Sequence, residues 1–324
     1  MANTFYDQIA ANRRNSVLLA LVVIALLAAL GFSIGFAVTG EPGGGVAATA
    51  IAIVIGLIGA LGSYFAGDAL VLGVSGAKQV DEQAAPQLLN VVREISLAAN
   101  IPMPKVYLID DSAPNAFATG RDPRHASIAL TTGLLEKLDR EELQGVIAHE
   151  LSHVRNLDIR FSLIVGVMVG SIALLADFFL RFTFWGGAGR RSRDREGGGG
   201  LQAIFMVLAI VLAIAAPIVS RFVQMAVSRQ REYLADSSGV QLTRNPVGLE
   251  RALAKIASDN EVLEVANRAT QHLYFTNPIK KFEDRRSGLF STHPPIVERI
   301  NRLRELTGER PLEGGEVEAL AQLD

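Results

Sequence analysis

Long uninterrupted runs of apolar residues are the dominant pattern along this chain. Four such runs stand out, and only Asp177, near the end of the third, places a charge inside one. A helix needs about 20 mainly apolar residues to cross the roughly 30 Å hydrocarbon core of a bilayer, and each run reaches that length. A buried core helix, the alternative, is typical of shorter runs with more polar residues. We therefore predict four transmembrane helices, within residues 16–39, 46–67, 161–180 and 201–220.

Charges beside the first two runs predict their orientation. The first run is too long for a signal peptide, whose apolar region has about 7–15 residues. Arg13 and Arg14 precede it, whereas the turn before the second run carries only Glu41. Because positive charge favours the cytoplasmic side, we expect a cytoplasmic N-terminus, with residues 68–160 on that side. The Gly/Arg-rich loop at 186–200 then lies outside, against the same rule, so a shallow second hairpin or the reverse orientation stays open.

The remaining sequence shows mixed helical and strand patterns. Asp139 and Glu142 have the spacing of a capping box, which predicts a helix from this point. We also predict helices at 85–100, 247–258 and 295–306, and strands at 105–109, 115–119 and 126–131. The expected fold class is membrane α-helical plus α+β. The domains are a transmembrane hairpin (1–67), the first half of a soluble body (68–160), a second transmembrane hairpin (161–220) and the second half of the body (221–324).

The amino-acid composition is typical of a membrane protein and limits which residues can bind a metal. Of the 324 residues, 49% are hydrophobic and 20% charged, and the mean hydropathy is +0.29. A soluble protein has about 25% charged residues. The net charge of −2 provides no basic field, so we expect no nucleic-acid partner. The chain has no cysteine, which excludes disulfides and thiolate chemistry, so a metal must be held by His, Asp or Glu.

Two histidines on the helix that follows Asp139 have metal-ligand spacing. His149 and His153 are four residues apart, so their side chains lie on one helical face and can reach one ion. Imidazole nitrogen suits zinc, which in catalytic sites takes three protein ligands and a water. Glu150 lies beside them and can accept a proton from that water. The alternative is a pair of histidines without a metal, either exposed or in the core.

A third ligand is expected from a different element. Glu232 is the candidate, and Asp236 lies one turn further on the same face, where it can accept a hydrogen bond from the free ring nitrogen of a ligating histidine. The alternative is a solvated helical face, and we assign Arg229 and Arg231 to such a face.

The two candidate ligand helices lead directly into the second hairpin. At 1.5 Å per residue, His153 lies about 12 Å and Glu232 about 18 Å beyond the apolar boundaries. An antiparallel pair of these helices brings both residues to a similar height. The second hairpin is therefore an insertion between two segments of one active site, which we expect at the membrane interface on the cytoplasmic side.

Further short motifs accompany these residues. They are PMPKVY (102–107), NAFATG (115–120), TTGLL (131–135), HELSH (149–153), RNLD (155–158), REYLAD (231–236) and THPP (292–295) followed by Arg299-Ile300. Together with the two N-terminal apolar runs, this combination resembles the HtpX group of membrane-bound zinc metalloproteases, which is related to the CAAX prenyl proteases. The resemblance covers nearly the whole chain, although the Gly/Arg-rich loop is idiosyncratic.

The resemblance implies a fold, a site and an activity. It implies a gluzincin-like domain, with HExxH and a distant ExxxD, that holds one Zn²⁺ per subunit. Glu150 acts as the general base. His293 helps to stabilise the oxyanion, unless it only caps a helix. Strand residues Asn115, Ala116, Phe117 and Ala118 bind an extended substrate, unless that sheet edge has no function.

The implied role is clearance of misfolded or damaged membrane proteins in a bacterial inner membrane. Expected partners are polypeptide substrates, the lipid bilayer and other quality-control proteases. One alternative is a processing protease of narrow specificity, as in the prenyl proteases. Another is an inactive membrane scaffold, which the presence of every expected ligand disfavours. An intramembrane protease is excluded because charged residues surround the HExxH motif.

Overall fold

The computed structural model describes residues 5–185, 199–259, 261, 294–312, 316–320 and 322. His293 and nearly all of the Gly/Arg-rich loop predicted at 186–200 lie outside these residues. The described chain is mainly helical. The helices are α1 (Phe5–Thr39), α2 (Pro42–Val74), α3 (Pro86–Ala99), α4 (Thr132–Lys137), α5 (Arg140–Arg155), α6 (Asp158–Trp185), α7 (Gly199–Thr243), α8 (Pro246–Ser258), α9 (Ile296–Thr307) and α10 (Glu316–Leu320).

One small mixed sheet accompanies the helices. Its strands are β1 (Lys78–Gln79), β2 (Lys105–Ile109), β3 (Ala116–Gly120) and β4 (Ala126–Thr131), in the order β1-β2-β4-β3. Strand β4 runs parallel to β2 and antiparallel to β3, so β3 is one edge of the sheet. The predicted strands β2 and β4 are confirmed, and β3 is displaced by one residue from its predicted bounds. Strand β1 has only two residues, too few for a recognisable pattern.

By internal packing the chain divides into two compact units. One contains the described residues of Met1–Asn12, Phe65–Phe161 and Ser228–Asp324, and the other contains Arg13–Tyr64 and Ser162–Val227. The first unit has a core built on the sheet and on helices α3, α5, α8 and α9, with α5 in the middle. Fully buried side chains of α5 include Val146, Ile147 and Leu151.

The second unit is built from long apolar helices. Three described helices are long and apolar enough to cross a membrane, over Leu21–Thr39, Pro42–Gly59 and within Gly200–Thr243. Large apolar side chains on them are exposed, such as Ile58 at 64% and Leu201 at 65%. Such surfaces are typical of contact with lipid. The third predicted run forms the continuous helix α6, but it is not among these three spans, so the count of four stays a prediction.

Candidate metal centre

Helix α5 begins at the predicted capping box. The Asp139 carboxylate accepts a hydrogen bond from the main-chain N–H of Glu142, and the Glu142 carboxylate accepts one from the N–H of Asp139, each at 2.9 Å. The helix then continues unbroken through both histidines. Residues four apart share a helical face. As a result, the Nε2 atoms of His149 and His153 lie 3.1 Å apart.

Helix α7 approaches α5 very closely beside the first histidine. A Cβ atom built on Gly239 of α7 lies only 3.1 Å from the main-chain nitrogen of His149. A side chain at this position would require the two backbones to shift by a few tenths of an ångström. The same helix carries Glu232 and Asp236 two turns and one turn before this glycine, so the close approach brings both carboxylates to the histidines.

Glu232 completes a group of three converging donors. One oxygen of Glu232 lies 3.4 Å from Nε2 of His153, and the other lies 3.6 Å from Nε2 of His149. A tetrahedral ion with ligand bonds of about 2.0–2.2 Å separates its ligand atoms by roughly 3.3–3.6 Å. The two Nε2 atoms, 3.1 Å apart, are slightly closer than this range, and each lies within 3.6 Å of an oxygen of Glu232. The group is therefore compact enough to hold one small divalent cation between two imidazoles and a carboxylate.

Each histidine is held by its own carboxylate. The Asp236 carboxylate lies 2.8 Å from Nδ1 of His149, and the Asp158 carboxylate lies 3.1 Å from Nδ1 of His153. A ring N–H that donates to a carboxylate leaves the opposite nitrogen, Nε2, as the one with a lone pair. The contact with Asp236 was expected from the sequence, whereas the one with Asp158 was not.

The electrostatics of the group favour a cation. Burial opposes a charge on His153, but hydrogen bonds to Asp158 and Glu232 outweigh it and raise the pKa of His153 to about 10. The carboxylates that stabilise a second proton on this ring stabilise a divalent metal ion in the same place.

Two arginines hold the two carboxylates in turn. The Arg299 guanidinium of α9 donates to both oxygens of Asp236, at 2.9 and 2.7 Å. The Arg231 guanidinium of α7 donates to the main-chain oxygen of Asp158 at 2.7 Å and lies 3.2 Å from its carboxylate. Arg231 is only 6% exposed, so its assignment to a solvated face was wrong. That assignment failed because the residue pattern of α7 does not show that the start of α6, at Asp158, covers Arg231.

Glu150 lies buried beside the three donors, at the edge of the sheet. Burial raises the pKa of Glu150, and the main-chain N–H of Ala118 in β3 donates a hydrogen bond to its carboxylate. A carboxylate with a raised pKa is suited to take up a proton and release it again near neutral pH.

Strand β3 presents alternate main-chain groups away from the sheet. The Asn115 carbonyl accepts a hydrogen bond from the N–H of Thr131, so in this antiparallel register Ala116 and Ala118 direct their main-chain groups away from β4. The side chain of Phe117 is fully buried in the body. The edge strand thus places Ala118 next to Glu150. His293, the other expected catalytic residue, lies outside the described residues.

Sequence reasoning assigned no role to Asp158 or Arg299. Both fall in the short motifs that carry the family resemblance, and this was the available signal. Their partners could not be read from the pattern because each contacts a residue on a different element. Arg299 is 150 positions away from the histidine whose partner it holds, so neither helical periodicity nor local spacing relates the two.

Much of this chain is similar to known proteins. The profile of peptidase family M48 matches residues 82–307. A protein called protease HtpX homolog from Streptococcus gordonii is 44% identical over 93% of this chain and 99% of its own length. A protein of the same name from Caldanaerobacter subterraneus is 48% identical over 76% of this chain and 80% of its own length.

A solved structure extends the likeness to the fold. The crystal structure of S. mikatae Ste24p matches 92% of this chain and 67% of that chain, with a TM-score of 0.53 and 16% identity. The long apolar helices indicate a multi-pass membrane protein. The profile match and the curated relatives together show that the chain belongs to peptidase family M48, and that it is a metalloprotease.

Proposed function

We propose that this protein is a zinc-dependent endopeptidase of a bacterial inner membrane that cleaves misfolded or damaged membrane proteins. The observation that carries the proposal is the convergence of His149, His153 and Glu232 beside the buried carboxylate of Glu150. These three side chains hold the ion, and Asp236 orients His149. A catalytic zinc uses a donor set of two histidines and one carboxylate in other metalloproteases.

Peptide hydrolysis needs a base and a proton donor at this site. When bound, the zinc ion acidifies a water molecule and polarises the scissile carbonyl. Glu150 accepts a proton from the attacking water and later delivers it to the departing amine nitrogen. Its raised pKa supports both steps. We assign stabilisation of the oxyanion to His293, on the basis of the family resemblance.

A broad choice of substrate follows from how the strand edge binds peptides. The main-chain carbonyls of Ala116 and Ala118 can accept hydrogen bonds from an extended polypeptide, whereas their N–H groups already donate to Asn115 and Glu150. Because main-chain pairing is largely independent of side chains, it suits a protease that takes many unfolded sequences. Cleavage of a panel of denatured membrane proteins at many positions supports this role. Cleavage of one substrate at a single position would instead support a processing protease.

The test of the chemistry is a Glu150→Gln variant of the detergent-solubilised protein. Glutamine keeps the shape but cannot accept a proton, so we expect kcat to fall by about 10²–10⁴-fold with the zinc content unchanged. Glu141→Gln is the matched control, because Glu141 is an exposed residue of the same helix. Undiminished cleavage by Glu150→Gln contradicts the assigned role. Absence of zinc and of proteolysis from the unmodified protein supports an inactive scaffold.

The proposed orientation has the active site on the cytoplasmic side. The chain has no cysteine, so a single Ser192→Cys substitution can be labelled from either side of the membrane. Labelling only from outside supports four spans with a cytoplasmic N-terminus. Labelling only from the cytoplasm refutes that topology.

A further inference from the structure

Asp158 occupies a sharp connection between two helices. Helix α5 ends at Arg155 and helix α6 begins at Asp158, so only two residues join them. One of these, Leu157, has a φ of +59°, a left-handed conformation that residues other than glycine rarely adopt. This turn directs the Asp158 side chain back toward His153, five positions earlier in the chain.

The Asp158 side chain joins the two segments that supply the metal ligands. One carboxylate oxygen contacts Nδ1 of His153 on α5, and the other contacts the guanidinium of Arg231 on α7. Arg231 directly precedes Glu232, the third candidate ligand. We call these three residues, His153, Asp158 and Arg231, the Asp158 bridge. All three lie within one compact unit.

The Asp158 bridge has the same design as the contacts of the other histidine. In both cases a carboxylate accepts a hydrogen bond from Nδ1 of a histidine, and a buried guanidinium contacts that carboxylate. The carboxylate selects the tautomer, and the guanidinium compensates its buried charge. His153 is the more exposed of the two rings, at 14% against 0% for His149, so it depends more on a fixed partner for its orientation.

We propose that Asp158 and Arg231 are positioning residues that set the zinc affinity of the site. Asp158 holds His153 in the tautomer whose Nε2 binds metal. Arg231 holds the Asp158 carboxylate in place and ties the helix of Glu232 to the helix of the histidines. This inference rests on the proposed zinc site, but it makes a separate claim about which residues outside the ligand set determine affinity.

The test is zinc binding by the full-length, detergent-solubilised protein after metal removal, measured by competition with a fluorescent chelator. Loss of the carboxylate that orients a ligating histidine typically weakens metal binding about 10–100-fold. We expect Asp158→Asn to raise the zinc Kd by this factor. Arg231→Gln leaves the carboxylate in contact with His153, so we expect a smaller rise. The controls are Asp177→Asn and Arg181→Gln, which remove an exposed ion pair from helix α6 and should leave the Kd unchanged.

A double variant separates positioning from simple support of the fold. Asp158→Asn alone removes a negative charge from beside the buried Arg231 guanidinium, which lowers stability. The Asp158→Asn, Arg231→Gln double variant removes both charges, so its thermal midpoint should recover most of that loss while its zinc Kd stays about 10–100-fold raised. The visible spectrum of bound Co²⁺ should shift in both variants, because the ring of His153 is no longer held.

Each outcome has a definite meaning. If the zinc affinity of the double variant recovers together with its stability, the role of the bridge is structural and the inference is wrong. If Asp158→Asn binds zinc as the controls do, the inference fails while the proposed zinc site stands. If Asp158→Asn does not fold, the double variant provides the same measurement. If the unmodified protein binds no zinc, the proposed function and this inference fail together.

Discussion

Replacement of Arg299 by Met should destabilise the metal-free protein strongly. Arg299 is 1% exposed and makes two hydrogen bonds to the buried carboxylate of Asp236. Its guanidinium also lies 3.4 Å from the carboxylate of Glu232. Met fills a similar volume without charge, so the substitution leaves both acids without this cation while packing is largely kept.

The magnitude follows from the burial of these groups. Removal of one partner of a buried ion pair costs about 3–5 kcal/mol, because the remaining charge stays buried without compensation. A body of roughly 200 residues loses about 2–4 °C in thermal midpoint per kcal/mol, which predicts a loss of about 6–20 °C. Arg299→Lys keeps the charge but not the two-bonded geometry, so an intermediate loss is expected.

The assay is differential scanning calorimetry of the metal-free protein in detergent. The matched control is Arg302→Met on the same helix. The Arg302 side chain is 53% exposed, where it pairs with Glu298 and stacks on the ring of Tyr233. Such an exposed contact is worth about 1 kcal/mol or less. A loss for Arg299→Met no larger than that for Arg302→Met would refute the dependence of the buried acids on this guanidinium.

Three further predictions concern helix packing, helix capping and the metal. Gly145→Ala should destabilise the protein by about 1–3 kcal/mol in chemical denaturation, because the new Cβ lies 2.8 Å from the backbone of Leu249. The control is Gly170→Ala, which has open space around it and should be neutral or stabilising. Equal effects of the two substitutions would contradict this prediction. Asp139→Ala should lower the free energy of unfolding by about 0.5–2 kcal/mol in the same measurement, because the helix loses its cap. Asp139→Asn should keep most of the stability of the unmodified protein, since asparagine also caps helices. A similar loss for both variants would count against the cap. Chelation should abolish proteolysis, and zinc at about 100 times its Kd should add about 2.7 kcal/mol of stability, so activity that survives complete metal removal would argue against a metal site.

Features that depend on the spacing of residues within one element could be predicted from the sequence. The histidine pair shares a face because its spacing matches the helical period, and the capping box at Asp139 marks where that helix begins. The apolar runs predicted long helices because a bilayer requires about 20 such residues in a row. Glu232 could be chosen as the third ligand candidate because Asp236 follows it by one helical turn and because the inserted hairpin brings its helix to the height of the histidines.

The tertiary structure decided which charged groups face each other. Arg231 was assigned to a solvated face and Asp158 had no assigned role, yet both are buried in one ion pair, with Asp158 at 4% and Arg231 at 6% exposure. Arg299 reaches the partner of His149 from a helix near the end of the chain. Periodicity describes one element at a time. The sequence by itself could therefore predict the helix that carries the two histidines and the apolar runs, because each of them is a single element. The burial and pairing of charges depend on how separate elements pack, and only the fold determines that.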